Sequence, residues 1–511
     1  MTDLQRHPPS PSPNPGACLI TLPHGAITGG ITTWAKRLAA SLAERGWRIC
    51  LLLGTGPPSC DAGTLGDLSS HPHIRVVPGD AHTPEAVARE AAALAALRNS
   101  PVVALPTYTS AAFAAVAGAT QRLPGVIRTV GVVHSDIAYD RLNTAAHEPL
   151  LTGVVAVSRD IAHGLQAFIP AASQRIEHIP YGISVPASPP RRQSAVGRPL
   201  RAVYTGRFEN HQKRVAALVE AHRQLRARGV PLELTLVGSG PLLAQLQGAA
   251  ACSPGLRVVT PDPHLGSDGV VEHLDQADLL LLPSRFEGLS LSMLEAMARG
   301  CVPVVTRVSG AEEALAGLPP AGVIVDAPPG MDDHAVGAAL ADGVLRAISL
   351  GVETLGQAAF DRARARFADT LMVDASAALF SRVTTQPPRD WPTDRPLVPE
   401  DFTVPADACE RTARALASLH GAKVALWGAG RHTRAVLRPA LKSGARIVAI
   451  MDDAPDPAGA SIESLPVVGA KQLPALGVTD VVISSALHED DLWGRRAELE
   501  SIGLRVHRVY A

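Results

Sequence analysis

Apolar residues in this chain fall in short continuous runs rather than in strict alternation. From Cys18 one run ends at Leu22, a Gly-containing loop follows, and Ile31, Trp34, Leu38 and Leu42 then recur at helical spacing until Gly46. Trp47 to Leu53 is a second run. Continuous runs joined by a helix-length connection mark strands that are buried on both faces of a parallel sheet, so this segment is one βαβ unit. Runs at Pro101–Leu105, Val126–Val133, Gly153–Val157 and Ile176–Ile179 extend the sheet. The pattern restarts with Leu200–Tyr204, Leu232–Val237, Ala277–Leu282, Cys301–Val305 and Gly322–Val325, with helices expected near 212–228, 241–248 and 289–299. A third βαβ signature opens at Lys423, and its second strand runs from Ile447 to Met451. The pattern predicts an α/β chain of two larger Rossmann-like domains and a third, smaller one.

Proline marks the boundaries. The stretches MTDLQRHPPSPSPNPG, Ser184–Pro199 and Thr384–Pro405 have leader or linker composition, and they hold 15 of the 43 prolines in about a tenth of the 511 residues. The expected division is a disordered leader, 1–16; a first domain, 17–183; a linker, 184–199; a second domain, 200–385; a Pro-rich linker, 386–405; and a C-terminal module, 406–511. The leader has no apolar h-region, so the sequence predicts a cytoplasmic protein. A net charge of -1 at pH 7 provides no field to draw the chain to nucleic acid, and the expected membrane contact is peripheral at most. Asn99–Gln121 is uncharged, but Pro101, Pro106 and Thr107-Tyr108-Thr109-Ser110 divide it into strand, loop and helix. Six scattered cysteines form no C-x-x-C pair, so neither a disulfide framework nor a structural zinc is indicated.

The chemistry concentrates in LLLLPSRFEGLSLSMLEAMARGCVPVVT, Leu279–Thr306. A buried strand ends at Pro283, a loop carries Arg285 and Glu287, and an apolar helix runs from Leu289 until Gly300 stops it. Glu295 sits within that apolar helix. A carboxylate there needs partners: Arg299 at i,i+4, or a ligand diol that presents two donors to its two oxygens. Glu287 lies eight residues earlier, where the amides of Gly288, Leu289 and Ser290 open the helix and form an anion site at the positive end of its dipole.

Glu287 and Glu295 within FEGLSLSMLEAMARG resemble the E-x7-E motif of family 4 glycosyltransferases of the GT-B fold. Further pieces of that family's pattern follow in order. TGRFENHQKR resembles the loop whose Arg and Lys bind the donor diphosphate, which implies Arg207 and Lys213, with Arg214 as the neighbouring candidate. LTLVGSGP, IPYGIS and SGAEEAL resemble the family's second strand and turn, its hinge entry and a later loop. Gly29-Gly30 in HGAITGGITTW lack Cβ atoms between a strand and a helix, and the resemblance assigns that loop to the donor β-phosphate. His134 closes a strand in VGVVHSD, where similar proteins have a His near the donor sugar. The resemblance spans about residues 17–385. It implies a retaining transfer from a nucleotide-diphosphate sugar to the hydroxyl of a glycan, lipid-linked or small-molecule acceptor, in bacterial polysaccharide or glycoconjugate synthesis. Glu287 and His134 would then serve catalysis, and Gly29, Gly30, Arg207, Lys213, Gly288, Leu289, Ser290 and Glu295 would bind the donor. No metal or other cofactor is expected, since no D-x-D follows a strand and Asp332-Asp333, Asp452-Asp453 and Asp490-Asp491 sit in unsuitable contexts.

The C-terminal module begins VALWGAGRHTRAVL. Gly428 and Gly430, with Asp452 about 22 residues on, make a partial dinucleotide fingerprint whose third glycine position is Thr433. Its text resembles small Rossmann modules attached to bacterial sugar-modifying enzymes. It is a candidate for a nucleotide or NAD(P), or for docking alone. Two other functions stay open at this point: a nucleotide-sugar-binding scaffold with an inactive core, and a nicotinamide oxidoreductase centred on the module.

Overall fold

The computed structural model describes residues 15–25, 29–54, 65, 68–79, 83–107, 109–191, 197–260, 268–328, 330–397, 404–405, 407–453 and 461–510. The expected leader lies outside these residues except for its last two. The chain forms two compact units, one of residues 1–327 with 333–398 and one of residues 328–332 with 399–511.

The first unit holds two sheets. β1 (Ala17–Leu22), β2 (Arg48–Leu53), β3 (Ile74–Val77), β4 (Val102–Leu105), β5 (Ile127–Val133), β6 (Leu151–Ala156) and β7 (Ile176–His178) pair in parallel in the order β3-β2-β1-β4-β5-β6-β7. β8 (Leu200–Thr205), β9 (Leu232–Val237), β10 (Leu256–Val259), β11 (Leu279–Leu282), β12 (Val302–Thr306) and β13 (Val323–Val325) pair in parallel as β10-β9-β8-β11-β12-β13. In each sheet the direction of winding reverses beside the first strand, so a crevice opens at the C-terminal strand ends there. β1, β5, β6, β11 and β12 are buried along their whole length, as their apolar runs require.

Two chain crossings join the domains of this unit. Ile183 and Ala368 form an isolated parallel bridge, in which Ile183 N donates to Phe367 O (2.8 Å) and Asp369 N donates to Ile183 O (2.9 Å). The crossing is tight enough to require a glycine: a Cβ on Gly182 would stand 2.6 Å from Asp369 Cα. The helix Asp369–Thr384, reached from the second sheet, then packs back on the first domain, where Phe380 meets Trp47 edge to face at 5.9 Å.

The Pro-rich stretch departs from the free linker expected over 386–405. Residues 386–397 form a strap docked on the first domain. Trp391 is buried in the core beside Val87, Val116 and Leu150, with its amide donating to Thr120 Oγ1 (2.9 Å). Asp390 accepts the Gly125 amide (3.0 Å), and Arg128 donates to Gln386 O (3.0 Å). Proline suits such a strap because an extended segment outside a sheet has few amides to satisfy. Residues 398–403 and 406 lie outside the described set.

In the second unit β14 (Lys423–Trp427), β15 (Arg446–Met451), β16 (Ser461–Ile462), β17 (Leu465–Val468), β18 (Asp480–Ile483) and β19 (Arg505–His507) are ordered β16-β17-β15-β14-β18-β19, all parallel except β16 with β17. Leu426, Leu437 and Val482 pack on one face, and Trp427, Ile483 and Leu499 on the other. This is the third Rossmann-like sheet. Among the described residues no single helix is long and apolar enough to cross a membrane. Asn99–Gln121 divides as expected into β4, a loop and the helix Ser110–Arg122.

Replacing Trp391 by Ala removes the strap's one large buried side chain and should destabilise the first unit by about 3–5 kcal/mol. Chemical denaturation measures the loss, and limited proteolysis should open the chain within 386–397; an unchanged midpoint contradicts the docking.

Candidate active site

The loop after β8 organises one wall. Glu209 turns its carboxylate back on the chain and accepts the amides of Gln212 (2.9 Å) and Lys213 (2.9 Å). Arg214 then takes a left-handed φ of 45°. The next helix therefore starts at Ala216, not near 212 as expected, because residues 212–215 are held in this turn. The same turn decides between the two neighbouring cations. Arg214 is fully buried, whereas Lys213 extends its Nζ to Glu287 Oε1 at 2.5 Å. Arg207 is exposed and donates to Gln212 Oε1 (2.9 Å).

The loop after β11 forms the opposite wall. Arg285 N donates to Gln212 O (2.7 Å), tying the two loops together. The Glu287 side chain is 9% exposed and accepts Ser284 Oγ–H (2.7 Å) as well as Lys213. The helix beyond spans Leu291–Ala298, shorter than the expected 289–299, because Ser290 is its N-cap and accepts Met293 N (3.3 Å). Gly288, Leu289 and Ser290 are thus the loop that leads into the helix. Its buried face is Met293, Leu294, Ala296, Met297 and Ala298, while Leu291, Ser292 and Glu295 are part-exposed. Glu295 is not sealed in the core. Its partner is Arg37 (Nη2 to Oε1, 2.6 Å), not Arg299, which pairs with Asp275 (3.3 Å). A small recess beside Glu287 is lined by Ser284, Ser290 and Ser309 together with the apolar Leu282, Met293, Val305 and Val308.

The first domain closes on this wall. Asp136 N donates to Glu287 O (3.1 Å), and Ser158 and Ser309 share a hydrogen bond (2.8 Å). Gly288 is pressed so closely that a Cβ would stand 2.1 Å from the His134 carbonyl oxygen. No other residue fits there. The helix Gly30–Glu44 presents Gly30, Trp34 and Arg37 to the same region: a Cβ on Gly30 would lie 3.6 Å from Leu291, and Trp34 meets the His134 ring edge to face at 4.7 Å. Gly29 caps that helix with an extended backbone. His134 is buried and its Nδ1 lies 2.8 Å from Tyr181 Oη; burial pushes its pKa down to about 3, so the ring is neutral.

The contacts thus bring Gly30, His134, Lys213, Glu287, Gly288 and Glu295 to the meeting of the two domains, with Arg207 reaching it through Gln212. Sequence reasoning missed Arg37, Ser284, Tyr181 and Gln212. Arg37 carries a readable signal only in its i,i+7 spacing from Gly30; Tyr181, Gln212 and Ser284 lie inside the segments IPYGIS, TGRFENHQKR and LLLLPSRFEG, but nothing in those segments singles them out. Among the described residues no group of three or more His, Cys, Asp or Glu side chains is placed to hold a metal ion.

In the second unit Gly428 and Gly430 follow the C-terminal end of β14 and Asp452 that of β15, while the winding reverses between β14 and β18. Gly428 has φ 118°, and Asp452 Oδ2 accepts the Ala429 amide (3.1 Å). Thr433, at the third glycine position, donates from Oγ1 to Gly428 O (2.5 Å) and also lies 2.8 Å from Ser484 Oγ. His432 bridges Ser484 Oγ (3.1 Å) and Tyr510 Oη (2.5 Å). The module's own side chains thus engage the polar groups of its crevice.

A family model described as Glycosyltransferase Family 4 matches residues 28–187, and one described as Glycosyl transferases group 1 matches residues 199–347. Among curated relatives, glycogen synthase 2 of Bradyrhizobium diazoefficiens is 37% identical over 113 residues, 22% of this chain and 23% of that protein. The amylovoran biosynthesis glycosyltransferase AmsK of Erwinia amylovora is 32% identical over 129 residues, 24% of this chain and 31% of its own. The matches thus span only about a quarter to a third of these relatives' length. Among solved structures, sucrose-phosphate synthase from Thermosynechococcus elongatus covers 72% of this chain and 99% of its own at TM-score 0.55 and 19% identity. Anabaena HepE in complex with UDP-glucose covers 71% and 99% at TM-score 0.54 and 17% identity. The two matched segments fall one on each sheet of the first unit, and the solved structures share its architecture: the chain carries the paired glycosyltransferase domains of a GT-B fold, followed by an additional α/β domain.

Proposed function

We propose that the first unit is a retaining glycosyltransferase that moves a sugar from a nucleotide-diphosphate donor to an acceptor hydroxyl in polysaccharide or glycoconjugate synthesis. One observation carries the reading: Glu287 and Glu295, eight residues apart, both stand where the second domain contacts the first, each paired with a cation. Relatives named for glycogen and amylovoran synthesis agree with a glycan product, and HepE was solved with UDP-glucose.

In this reading Glu295 accepts the ribose hydroxyls and Glu287 the sugar hydroxyls. Arg207 and Lys213 flank the diphosphate, assisted by the amides of Gly288, Leu289 and Ser290 and by the Gly29-Gly30 loop. The anomeric C1–O bond breaks and its electrons go to the diphosphate, where the two fixed cations and the amides offset the charge. The acceptor oxygen bonds to C1 from the face the diphosphate leaves, and the acceptor proton passes to the departing phosphate oxygen. Neutral His134 lines the sugar side with its imidazole fixed by Tyr181. We place the enzyme in the cytoplasm, acting on a soluble or lipid-linked acceptor.

Hydrolysis of UDP-, GDP- and ADP-sugars by the full chain tests the reading directly, and turnover of none of them counts against it. Glu295→Gln should weaken donor binding about tenfold, in the range of one charged hydrogen bond. Glu287→Gln should lower turnover more than affinity. Full activity in both variants removes the site assignment.

EDTA should leave turnover within about twofold, because Arg207 and Lys213 meet the leaving-group charge. A complete loss that Mg²⁺ restores would sink this.

His134 gives a pH prediction with a definite sign. Its folded pKa, about 3, lies below the unfolded value of about 6.5, so the unfolded chain binds the proton first as pH falls. The folded state keeps its full stability above about pH 6.5 and loses it towards pH 3, by up to about 1.4 kcal/mol per pH unit from this group. Denaturation of wild type and His134→Asn across that window should give a shallower slope for the variant; parallel slopes contradict it.

A further inference from the structure

The Arg37–Glu295 pair crosses the cleft. Arg37 stands on the helix Gly30–Glu44 of the first domain, and Glu295 on the helix Leu291–Ala298 of the second. Its two ends are unequally satisfied. Arg37 Nη2 donates to Glu295 Oε1 at 2.6 Å, but Nη1 is buried and has no hydrogen-bond partner among the described residues. Glu295 uses only Oε1 in this contact, and its side chain is 19% exposed. A charged donor without an acceptor therefore lies beside a part-exposed carboxylate whose second oxygen takes no part in the pair. The arrangement suits a ligand that offers an acceptor oxygen and a hydroxyl donor together, and a nucleoside diphosphate does so.

The stem of Arg37 is placed for this task. Trp34, one turn earlier, is 5% exposed and fixed against His134, and Gly30 at the head of the helix abuts Leu291. Arginine differs from lysine here because its planar fork serves two acceptors in fixed directions at once, so holding Glu295 with one nitrogen aims the other. A pair that only clamped the two domains together would gain nothing by leaving a buried guanidinium nitrogen unsatisfied.

We infer that Arg37 is a nucleotide-binding residue contributed across the cleft: Nη2 orients Glu295 towards the ribose hydroxyls, and Nη1 donates to an oxygen of the same nucleoside diphosphate. The inference rests on the reading of Glu295 given under the proposed function. It makes the nucleotide site complete only when both domains meet, because half of this contact lies on each.

The test titrates UDP, GDP and ADP into the full chain by calorimetry, for wild type, Arg37→Met, Arg37→Lys, Glu295→Gln and the Arg37→Met/Glu295→Gln double variant. Methionine retains an unbranched apolar stem beside Trp34, and circular dichroism checks that each variant is folded. For the tightest of the three diphosphates, Arg37→Met should weaken binding about tenfold. Arg37→Lys should recover part of the loss. The double variant should bind no more than about twofold worse than Glu295→Gln, since the two residues act as one contact. Wild-type affinity in Arg37→Met overturns the inference, and so does tighter binding, which would make the pair a clasp that the nucleotide must break. If Glu295→Gln binds normally, or no diphosphate binds wild type, the reading of Glu295 itself fails and this inference falls with it.

Discussion

A carboxylate that is nearly withdrawn from water must be given donors, and much of the cleft follows from how the fold supplies them to Glu287. Lys213 comes from the loop after β8 and Ser284 from the loop after β11, so satisfying one side chain draws two loops together. The turn that delivers Lys213 is itself set by a second carboxylate, Glu209, acting on backbone amides. Glu287 also faces outward through its backbone. Its carbonyl accepts Asp136 N from the first domain, and the next residue must be Gly288 because the His134 carbonyl occupies the space of a side chain. Charge pairing, loop geometry and domain contact therefore meet within two consecutive residues.

The two doubly wound sheets give this arrangement its rigidity. Each opens a crevice at its own switch point, and the crossing at Ile183 and Ala368 fixes how those crevices face one another. The head of the helix Gly30–Glu44 then lies close to that of the helix Leu291–Ala298, since a Cβ on Gly30 would stand 3.6 Å from Leu291, and the positive ends of two helix dipoles are near one another.

How much of this was legible depended on how each residue is buried. Central strands such as β5 and β11 read as unbroken apolar runs because both faces are covered. The edge strands β3 and β10 escaped notice: each begins with a buried residue, Ile74 or Leu256, followed by an exposed arginine, and four mixed residues do not stand out from a loop. Helix starts at Ala216 and Leu291 were displaced from expectation by side chains that capture backbone amides, which periodicity does not register. Glu287, Glu295, Arg207 and Lys213 were found through motif spacing. Arg37 was not, since a helix-surface arginine looks like any solvated charge until a second domain supplies its partner. Trp391 was hidden by its surroundings, because proline-rich text describes a backbone without sheet hydrogen bonds and says nothing about where that backbone lies.

The returning helix Asp369–Thr384 and the strap beyond it have a consequence for building hybrids of this enzyme. Sequence order suggests cutting at the 184–199 linker and exchanging everything beyond it for the donor half of a relative. The three-dimensional boundary is different. Phe380 and Trp391 belong to the packing of the first domain although they are encoded after the second. A chimera that takes a foreign segment through to residue 397 would ask the first domain to accept a stranger's helix against Trp47 and a stranger's residue in the Trp391 pocket. Exchanging about 200 to 366 alone respects both crossings at Ile183 and Ala368, and keeps each domain with the residues that cover its own apolar surface.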